Sequence, residues 1–252
     1  MAVQVYFVGA GPGDIELLTI KAKKIIERAD VVIYADSLIS PEVCRFAREE
    51  AEIHKSASLS LEETTDIIVE AVKQGKPVAR LQSGDPAIYG AIQEQMALLD
   101  EEDIDYEVIP GVSSLFAAAA SLKAELTVPE LSQTVIITRM EGKTPVPAAE
   151  ALRSLAAHQA TIALFLSVSL VEEVVSELIQ GGYEPGTPAA VVYRASWEDE
   201  LVIRTTLNNL AKRVKESGIN KQALILVGKF LDHRGKGLRS KLYDKKFKHG
   251  YR

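Results

Sequence analysis

The sequence predicts an α/β protein with two lobes, and three observations support this. The first half alternates short apolar runs with amphipathic segments, which is typical of a mostly parallel sheet covered by helices. The composition then changes between about 111 and 133, where the polar link "LTVPELSQ" follows an alanine-rich segment. The second half carries its own strand and helix patterns. We therefore expect an N-terminal lobe at 1–112, a C-terminal lobe at 113–231, and a basic tail at 232–252.

Apolar runs that end at glycine, proline or charged residues predict the strands of the first half. These strands are Val3–Val8, Asp30–Ala35, Pro77–Gln82 and Tyr106–Gly111. Helical periodicity predicts a helix at Thr19–Ala29 and another that begins at Ser60, where Glu63 completes a capping box. Pro86 can begin a further helix. A last helix is expected from Ser113 or Ser114 to Leu122.

The same signals predict five strands and three helices in the second half. The strands are Thr134–Arg139, Thr161–Leu166, Ala189–Tyr193, Leu201–Thr205 and Ala223–Gly228. The helices are Pro147–His158, Ser169–Ile179 and Leu207–Ser217, with a second capping box from Ser169 and Glu172.

Composition and charge restrict the function classes. The 252 residues carry a net charge of −6, which disfavours nucleic acid as the main partner. The only cysteine is Cys44, and the four histidines are scattered, so no metal site is expected. The longest apolar stretch, Thr161–Val171, is shorter than the ~20 residues that cross a bilayer. The N-terminus has no leader pattern, so we expect a cytoplasmic protein with no membrane partner.

The first strand runs into "VGAGPGD", which superficially resembles the glycine loop of a dinucleotide-binding domain. That fingerprint needs a third glycine where this chain has Asp14, and backbone N–H donors for the pyrophosphate. Pro12 has no N–H, and Asp14 adds a negative charge. The loop is therefore poorly suited to phosphate and better suited to a cationic ligand without a pyrophosphate. S-adenosylmethionine, a sulfonium, is such a ligand.

Two further turns follow predicted strands. "RLQSGDPAIYG" (80–90) places Asp85 between Gly84, which tolerates a positive φ, and Pro86, which favours an extended residue before it. "IPGVSS" (109–114) is the third turn. Ligands of open parallel sheets bind beyond the carboxyl ends of the strands, so all three turns point to one site.

Together, "VGAGPGD", "ADVVIYAD", "RLQSGDPAIYG" and "VIPGVSS" closely resemble the tetrapyrrole (corrin/porphyrin) methyltransferase family, in the same order along the chain. Within it, Leu126–Pro147 and Tyr193–Leu207 are similar to the enzymes that methylate C11 of precorrin-4 in cobalamin synthesis. The resemblance implies the two-lobed tetrapyrrole methylase fold, with a mostly parallel sheet in the N-terminal lobe and a mixed sheet in the C-terminal lobe. It also implies a homodimer and a site in the cleft between the lobes. It also implies methyl transfer from S-adenosylmethionine, with S-adenosylhomocysteine as product, to a small tetrapyrrole, with or without cobalt.

The resemblance also implies which residues bind the cofactor. In the first lobe they are Pro12, Gly84, Asp85, Ile88, Ser113 and Ser114. In the second lobe they are Leu166, at the end of one strand, and Ala195, just after another.

The implied substrate carries many carboxylates, so we expect fixed cations near it. Arg139, Lys143 and Arg194 lie at strand ends or in turns of the second lobe, and arginine binds carboxylates bidentately. Glu141 lies between two of these cations and can orient them or accept the proton released after methylation. Tyr89 can face either ligand.

The sequence alone leaves other functions open. Another member of the same family could methylate a different tetrapyrrole carbon, or a macromolecule such as RNA. A nicotinamide-dependent oxidoreductase is disfavoured by Pro12 and Asp14. The basic tail holds eight Lys or Arg against two Asp, and it is expected to be a mobile end, an intersubunit strap or an anion site.

We predict that the tail is dispensable for folding, because 232–252 lacks an apolar period and carries a strong charge imbalance. A chain truncated after Leu231 should stay soluble and keep its melting temperature within a few degrees, measured by circular dichroism beside the full chain. Insoluble truncated protein would show that the tail is structural.

Overall fold

The computed structural model describes residues 4–232 and 247–248, and these form two compact units. Unit 1 holds the described residues up to Ala117 together with Ser196–Glu198, and unit 2 holds Ala118–Ala195 and the described residues from Asp199 onward. The division falls inside a helix, α4. The basic tail lies outside the described residues, apart from Asp232, Phe247 and Lys248.

Unit 1 is built on a five-stranded sheet in which every neighbouring pair is parallel. Its strands are β1 (Val5–Gly9), β2 (Val31–Tyr34), β3 (Glu52–Lys55), β4 (Val78–Gln82) and β5 (Tyr106–Ile109), in the order β3-β2-β4-β1-β5. Strands β1, β2 and β4 are almost fully buried, as expected for the centre of a parallel sheet covered on both faces.

Three helices lie wholly in unit 1: α1 (Ile20–Ile26), α2 (Leu61–Lys73) and α3 (Ile92–Glu101). Thr19 caps α1, and Ser60 with Glu63 forms the complete predicted capping box of α2. Helix α1 packs on one face of the sheet, where Ala22 and Ile26 meet Val8 and Leu81. Helices α2 and α3 pack on the other face, where Ile68 and Leu99 meet Phe7.

Unit 2 is built on a mixed sheet, as predicted. Its strands are β6 (Val135–Arg139), β7 (Thr161–Phe165), β8 (Pro188–Tyr193), β9 (Leu201–Thr206) and β10 (Ala223–Val227), in the order β6-β7-β10-β8-β9. Only β6 and β7 are parallel to each other. Helices α5 (Leu152–Ala156), α6 (Val171–Gln180) and α7 (Leu207–Ser217) cover this sheet around one apolar core, and α4 (Ser114–Ser121) spans the division between the units.

The α/β class and the strand positions predicted from the sequence are confirmed, with ends that differ by one or two residues, but three helix predictions are wrong and one strand was missed. The segment predicted as the helix Pro147–His158 is a 3-10 turn at Ala148–Glu150 followed by the short helix α5. Ser169 does not cap α6, because it lies in a 3-10 turn and the helix begins after Leu170 without a side-chain cap. Pro86 does not begin a helix: α3 begins six residues later, after Ala91 in the left-handed conformation. Strand β3 was not predicted at all. No helix of the described residues is long and apolar enough to cross a membrane.

Candidate functional site

The three glycine-bearing turns follow three strands that are neighbours in the sheet of unit 1. The order β4-β1-β5 is parallel throughout, so the carboxyl ends of these strands lie side by side. The turn after β1 is the glycine loop (Ala10–Asp14), the turn after β4 contains Gly84 and Asp85, and the turn after β5 begins at Pro110. The predicted convergence of the three turns is therefore a direct result of strand order.

The turns approach one another so closely that only glycine fits where they meet. A Cβ atom on Gly111 would lie 2.2 Å from the carbonyl oxygen of Gly84 and 2.7 Å from Cα of Gly9. A Cβ atom on Gly9 would lie 2.5 Å from Cα of Gly111. Since these neighbours are backbone atoms, no side-chain movement can relieve the overlap.

A pair of backbone hydrogen bonds joins the first turn to the second. The Gly11 N–H donates to the carbonyl oxygen of Gly84 at 3.2 Å, and the Gly84 N–H donates to the carbonyl oxygen of Gly11 at 2.8 Å. Both glycines have a positive φ, 73° for Gly11 and 67° for Gly84, which other residues adopt only at a cost.

The glycine loop has few N–H groups left to offer a ligand. Ala10 N–H donates to the carbonyl oxygen of Gln82, and Asp14 N–H donates to Oγ of Ser196 at 3.0 Å. Gly11 N–H is used as described above, and Pro12 has none. Within the described residues, Gly13 alone in this loop keeps an N–H group without an acceptor. A phosphate cradle needs several such donors, so the structure supports the interpretation that the loop does not bind a pyrophosphate.

The Asp85 carboxylate joins the second turn to the third. One oxygen accepts from Ala87 N–H at 2.8 Å and the other accepts from Gly111 N–H at 2.9 Å. Both oxygens are thus used by backbone donors of unit 1. Asp85 therefore supports the site by positioning two turns, whatever further contact it makes with a ligand.

The other first-lobe candidates follow the second and third turns along the chain. Ser113 is buried and its Oγ accepts from Leu115 N–H at 3.3 Å, while Ser114 is the first residue of α4. Ile88 is half-buried, and Tyr89 is 45% exposed with a φ of 55°. A bulky residue with positive φ is strained, and such strain concentrates at functional sites.

The second-lobe cofactor candidates also lie at strand ends, within unit 2. Leu166 follows β7, is 67% exposed and has a φ of 52°. An exposed leucine in a strained conformation has no role in the core of unit 2, which is consistent with a ligand contact. Ala195 lies two residues after β8 and is buried.

The cationic candidates are differently engaged. Arg139 ends β6, and its guanidinium donates to the carbonyl oxygens of Met140, Thr144 and Pro145 at 3.4, 3.2 and 2.6 Å. It therefore holds its own loop, and its binding to a carboxylate ligand stays a prediction. Glu141 and Lys143 lie exposed in that same loop.

Arg194 is held by partners within unit 2. Its Nη1 lies 2.7 Å from Oδ2 of Asp199, and its Nε donates to Oε1 of Gln222 at 3.0 Å. Its backbone is also strained, with a φ of 46°. The guanidinium is thus fixed in direction, although its charge is partly neutralised by Asp199.

Sequence reasoning missed a polar pair on β4. Arg80 is only 9% exposed, and its described partners are neutral: Oε1 of Gln95 at 3.0 Å and Oγ of Ser56 at 2.9 Å. Burial lowers the pKa of Arg80 to about 10, so it stays charged at neutral pH. Two residues on, Gln82 Nε2 is buried without an acceptor in the described part of the chain. Polar residues at alternate positions of a strand buried on both faces were the available signal.

Sequence reasoning also missed a contact from far along the chain. Trp197 Nε1 donates to the carbonyl oxygen of Pro12 at 2.8 Å, and its neighbour Ser196 accepts from Asp14. Both belong to unit 1 although their sequence numbers place them in the second half. No local sequence pattern signals a contact across 185 residues.

The described residues contain no cluster of His, Cys, Asp or Glu that could hold a metal ion. Nor does the sequence offer a Ser-His-Asp arrangement among the candidate residues. The candidate residues described above supply backbone turns, apolar side chains and side-chain charges.

The close approach of the turns predicts a strong effect of one methyl group. Gly111→Ala should lower the free energy of unfolding by about 1–3 kcal/mol or more, because the added Cβ atom overlaps backbone atoms of Gly84 and Gly9. Gly186→Ala is the matched control, since nothing lies within 4 Å of a Cβ atom there. Urea unfolding of both variants checks this, and equal midpoints would contradict the geometry.

Comparison with known proteins adds the family. The model of the family "Tetrapyrrole (Corrin/Porphyrin) Methylases" matches residues 4–211. The chain is 59% identical over 249 residues to a protein of Methanocaldococcus jannaschii named cobalt-precorrin-4 C(11)-methyltransferase, covering 99% of this chain and 96% of that protein. It is 50% identical over 252 residues to a protein of the same name from Priestia megaterium, covering 99% and 98%.

Solved structures agree with this relationship. A cobalt precorrin-4 methyltransferase, described as a cobalamin biosynthetic enzyme, superposes with a TM-score of 0.88 at 50% identity, covering 90% of this chain and 95% of that one. A uroporphyrin-III C-methyltransferase from Thermus thermophilus, solved with S-adenosylhomocysteine, superposes with a TM-score of 0.75 at 28% identity, covering 90% and 98%. The chain belongs to the tetrapyrrole (corrin/porphyrin) methylase family.

Proposed function

We propose that this chain is an S-adenosylmethionine-dependent methyltransferase that methylates C11 of cobalt-precorrin-4 or precorrin-4 in cobalamin biosynthesis. The observation that carries the proposal is the glycine loop, which meets two other turns yet has almost no N–H donors left for a phosphate. Relatives with this printed activity match nearly the whole chain, at 59% and 50% identity. A homodimer, as the sequence resemblance implies, and a location in the cytoplasm are also part of the proposal.

The residues fit a cationic adenosyl cofactor. The three turns of unit 1 present glycine backbone, which permits close approach, and they offer too few N–H donors for a phosphate. The proposed contacts in unit 1 are Pro12, Gly84, Asp85, Ile88, Ser113 and Ser114. Gln82 Nε2 is a buried donor beside the second turn, and a ligand oxygen or an ordered water would supply its missing acceptor. In unit 2 the proposed contacts are Leu166, through its exposed apolar side chain, and Ala195.

The cofactor, when bound, supplies an electrophilic methyl group. The protein then has to align two ligands and exclude water, because the substrate carbon is already electron-rich through conjugation with a ring nitrogen. Alignment of reacting atoms to about 3–3.5 Å accounts for a large part of such catalysis. Rigid turns suit this task better than mobile side chains. After transfer a proton leaves the ring, and Glu141 or a water is the proposed acceptor.

The tetrapyrrole carboxylates need cations. We propose Arg139, Lys143 and Arg194 for this role, all within unit 2. Arg194 is held in direction by Asp199 and Gln222, which reduces the entropy lost on binding. Arg139 holds the loop that carries Glu141 and Lys143, so its effect on substrate includes the position of both.

Two measurements test the function. The purified protein is incubated with S-adenosylmethionine and either precorrin-4 or cobalt-precorrin-4, and mass spectrometry follows the gain of one methyl group. Calorimetry measures S-adenosylhomocysteine binding, with NAD as the control ligand. We expect one methyl on at least one tetrapyrrole, located at C11 by NMR, and no binding of NAD.

The results that would overturn the proposal differ in kind. Methylation at another ring carbon would assign the chain to another branch of the family. Binding of NAD in place of S-adenosylhomocysteine would reverse our interpretation of the glycine loop. Cofactor binding without methylation of either tetrapyrrole would leave a different tetrapyrrole or a macromolecule as the acceptor.

Two variants should fail differently. Asp85→Ala leaves the N–H groups of Ala87 and Gly111 without their acceptor and should weaken S-adenosylhomocysteine binding by roughly 1.5–3 kcal/mol. Arg139→Ala should leave cofactor affinity nearly unchanged and raise KM for the tetrapyrrole, or lower kcat. Arg139→Lys should rescue only partly, because lysine lacks the planar fork that reaches three carbonyl groups.

Calorimetry beside steady-state kinetics separates the two effects. Arg153→Ala is the matched control for Arg139, since it removes an exposed arginine whose partner, Glu177, lies on α6. If Arg139→Ala lost cofactor binding while Asp85→Ala kept it, the assignment of ligands to residues would be inverted.

A further inference from the structure

We infer that Ser196 and Trp197 are positioning residues of the cofactor site: they form a strap that fixes the glycine loop. This inference rests on the proposed function, since it assigns the loop to the cofactor. The strap is the three-residue segment Ser196–Glu198, which belongs to unit 1 while the residues on either side of it belong to unit 2.

Two hydrogen bonds hold the loop: the strap is the donor in one and the acceptor in the other. Trp197 donates from Nε1 to the carbonyl oxygen of Pro12 at 2.8 Å, and Ser196 accepts at Oγ from Asp14 N–H at 3.0 Å. The two bonded loop residues flank Gly13. The strap thus fixes the orientation of the peptide groups on both sides of that glycine.

The indole ring also lies directly against Gly13. A Cβ atom on Gly13 would lie 2.1 Å from Cδ1 and 2.2 Å from Nε1 of Trp197. Gly13 does not have a positive φ, so the backbone conformation does not require glycine here. The tryptophan ring is what leaves no room for a side chain. The third glycine of "GAGPG" therefore makes room for the tryptophan ring.

The backbone of the strap is itself strained. Ser196 has a φ of 71°, which is sparsely populated for a non-glycine residue. Strain of this kind persists only where surrounding contacts impose it. The contacts that Ser196 and Trp197 make with the loop provide that constraint.

The strap explains how a loop with two glycines and a proline can stay in one conformation without a ligand phosphate to organise it. Holding the loop before the cofactor arrives lowers the entropy lost on binding. The ligand class is the adenosyl sulfonium of the proposed function, because the strap occupies the Asp14 N–H that an anion would need.

Trp197 is the only tryptophan of the chain, so it reports on the site directly. Titration of the wild-type protein with S-adenosylhomocysteine should change the tryptophan emission and saturate at the Kd found by calorimetry. Binding seen by calorimetry without any change in emission would overturn the inference.

Three variants test the role in binding. Trp197→Phe keeps a ring and removes the donor, and Ser196→Ala removes the acceptor. Each should raise the Kd for S-adenosylhomocysteine about three- to tenfold, as expected for one lost hydrogen bond, and should raise KM for S-adenosylmethionine without changing KM for the tetrapyrrole. Tyr106→Phe is the matched control, because it removes a hydrogen bond to Asp100 at the opposite end of the sheet.

Binding is measured at a temperature where circular dichroism shows every variant folded, and the melting temperature of each variant is recorded in parallel. If Trp197→Phe and Ser196→Ala bind the cofactor as tightly as Tyr106→Phe, the strap has no positioning role and the inference fails. If the wild-type protein itself does not bind S-adenosylhomocysteine, the proposed function fails instead.

A double-mutant cycle tests the ring contact separately. Gly13→Ala should lower the melting temperature in the wild-type background and lower it less in the Trp197→Ala background, where the ring is absent. Equal falls in both backgrounds would mean that the ring does not explain Gly13, and the inference would be overturned.

Discussion

The mutual contact of Gly9, Gly84 and Gly111 is the constraint on which the candidate site depends. Gly9 ends β1, while Gly84 and Gly111 lie in the turns after β4 and β5, and their backbones approach to distances at which no side chain fits. The contact is possible because β4, β1 and β5 are adjacent and parallel, so their ends arrive together. The strand order of unit 1 thus determines where the three turns meet, and the glycines allow their backbones to approach closely.

Hydrogen bonds then convert this proximity into a fixed arrangement. The first turn bonds to the second through Gly11 and Gly84, and the second bonds to the third through Asp85. The strap adds a fourth segment at Pro12 and Asp14. Most of the polar groups of the turns are therefore satisfied within unit 1, which leaves too few free N–H donors to cradle a phosphate.

Much of this architecture could be predicted from the sequence, because the signals are local. The apolar runs gave the central strands, and α7 begins and ends where its period predicted. Strand β3 was missed because "EIHK" is mostly exposed and lacks an apolar alternation. The start of α3 was missed because Ala91 adopts a left-handed conformation without a capping side chain, which no residue preference indicates.

The site was predictable only in part, for a physical reason. Motifs identified the turns, but the partners of a side chain depend on distant segments. Arg139 shows this: its binding to a ligand stays a prediction, and no local pattern indicated that its guanidinium donates to the carbonyl groups of its own loop. Trp197 shows the reverse, since nothing near it in sequence indicates that it donates to Pro12.

The pair of bonds between Gly11 and Gly84 has a consequence for motion. Surface turns usually open independently of the sheet below them, and their amide protons exchange quickly with solvent. Here the N–H groups of Gly11 and Gly84 each donate to the carbonyl oxygen of the other residue, and the Gly111 N–H donates to the Asp85 carboxylate. To expose any of them, at least two turns must separate. In hydrogen-exchange terms these loop amides belong with the central strands, so the part of unit 1 assigned to the ligand is among its slowest to open.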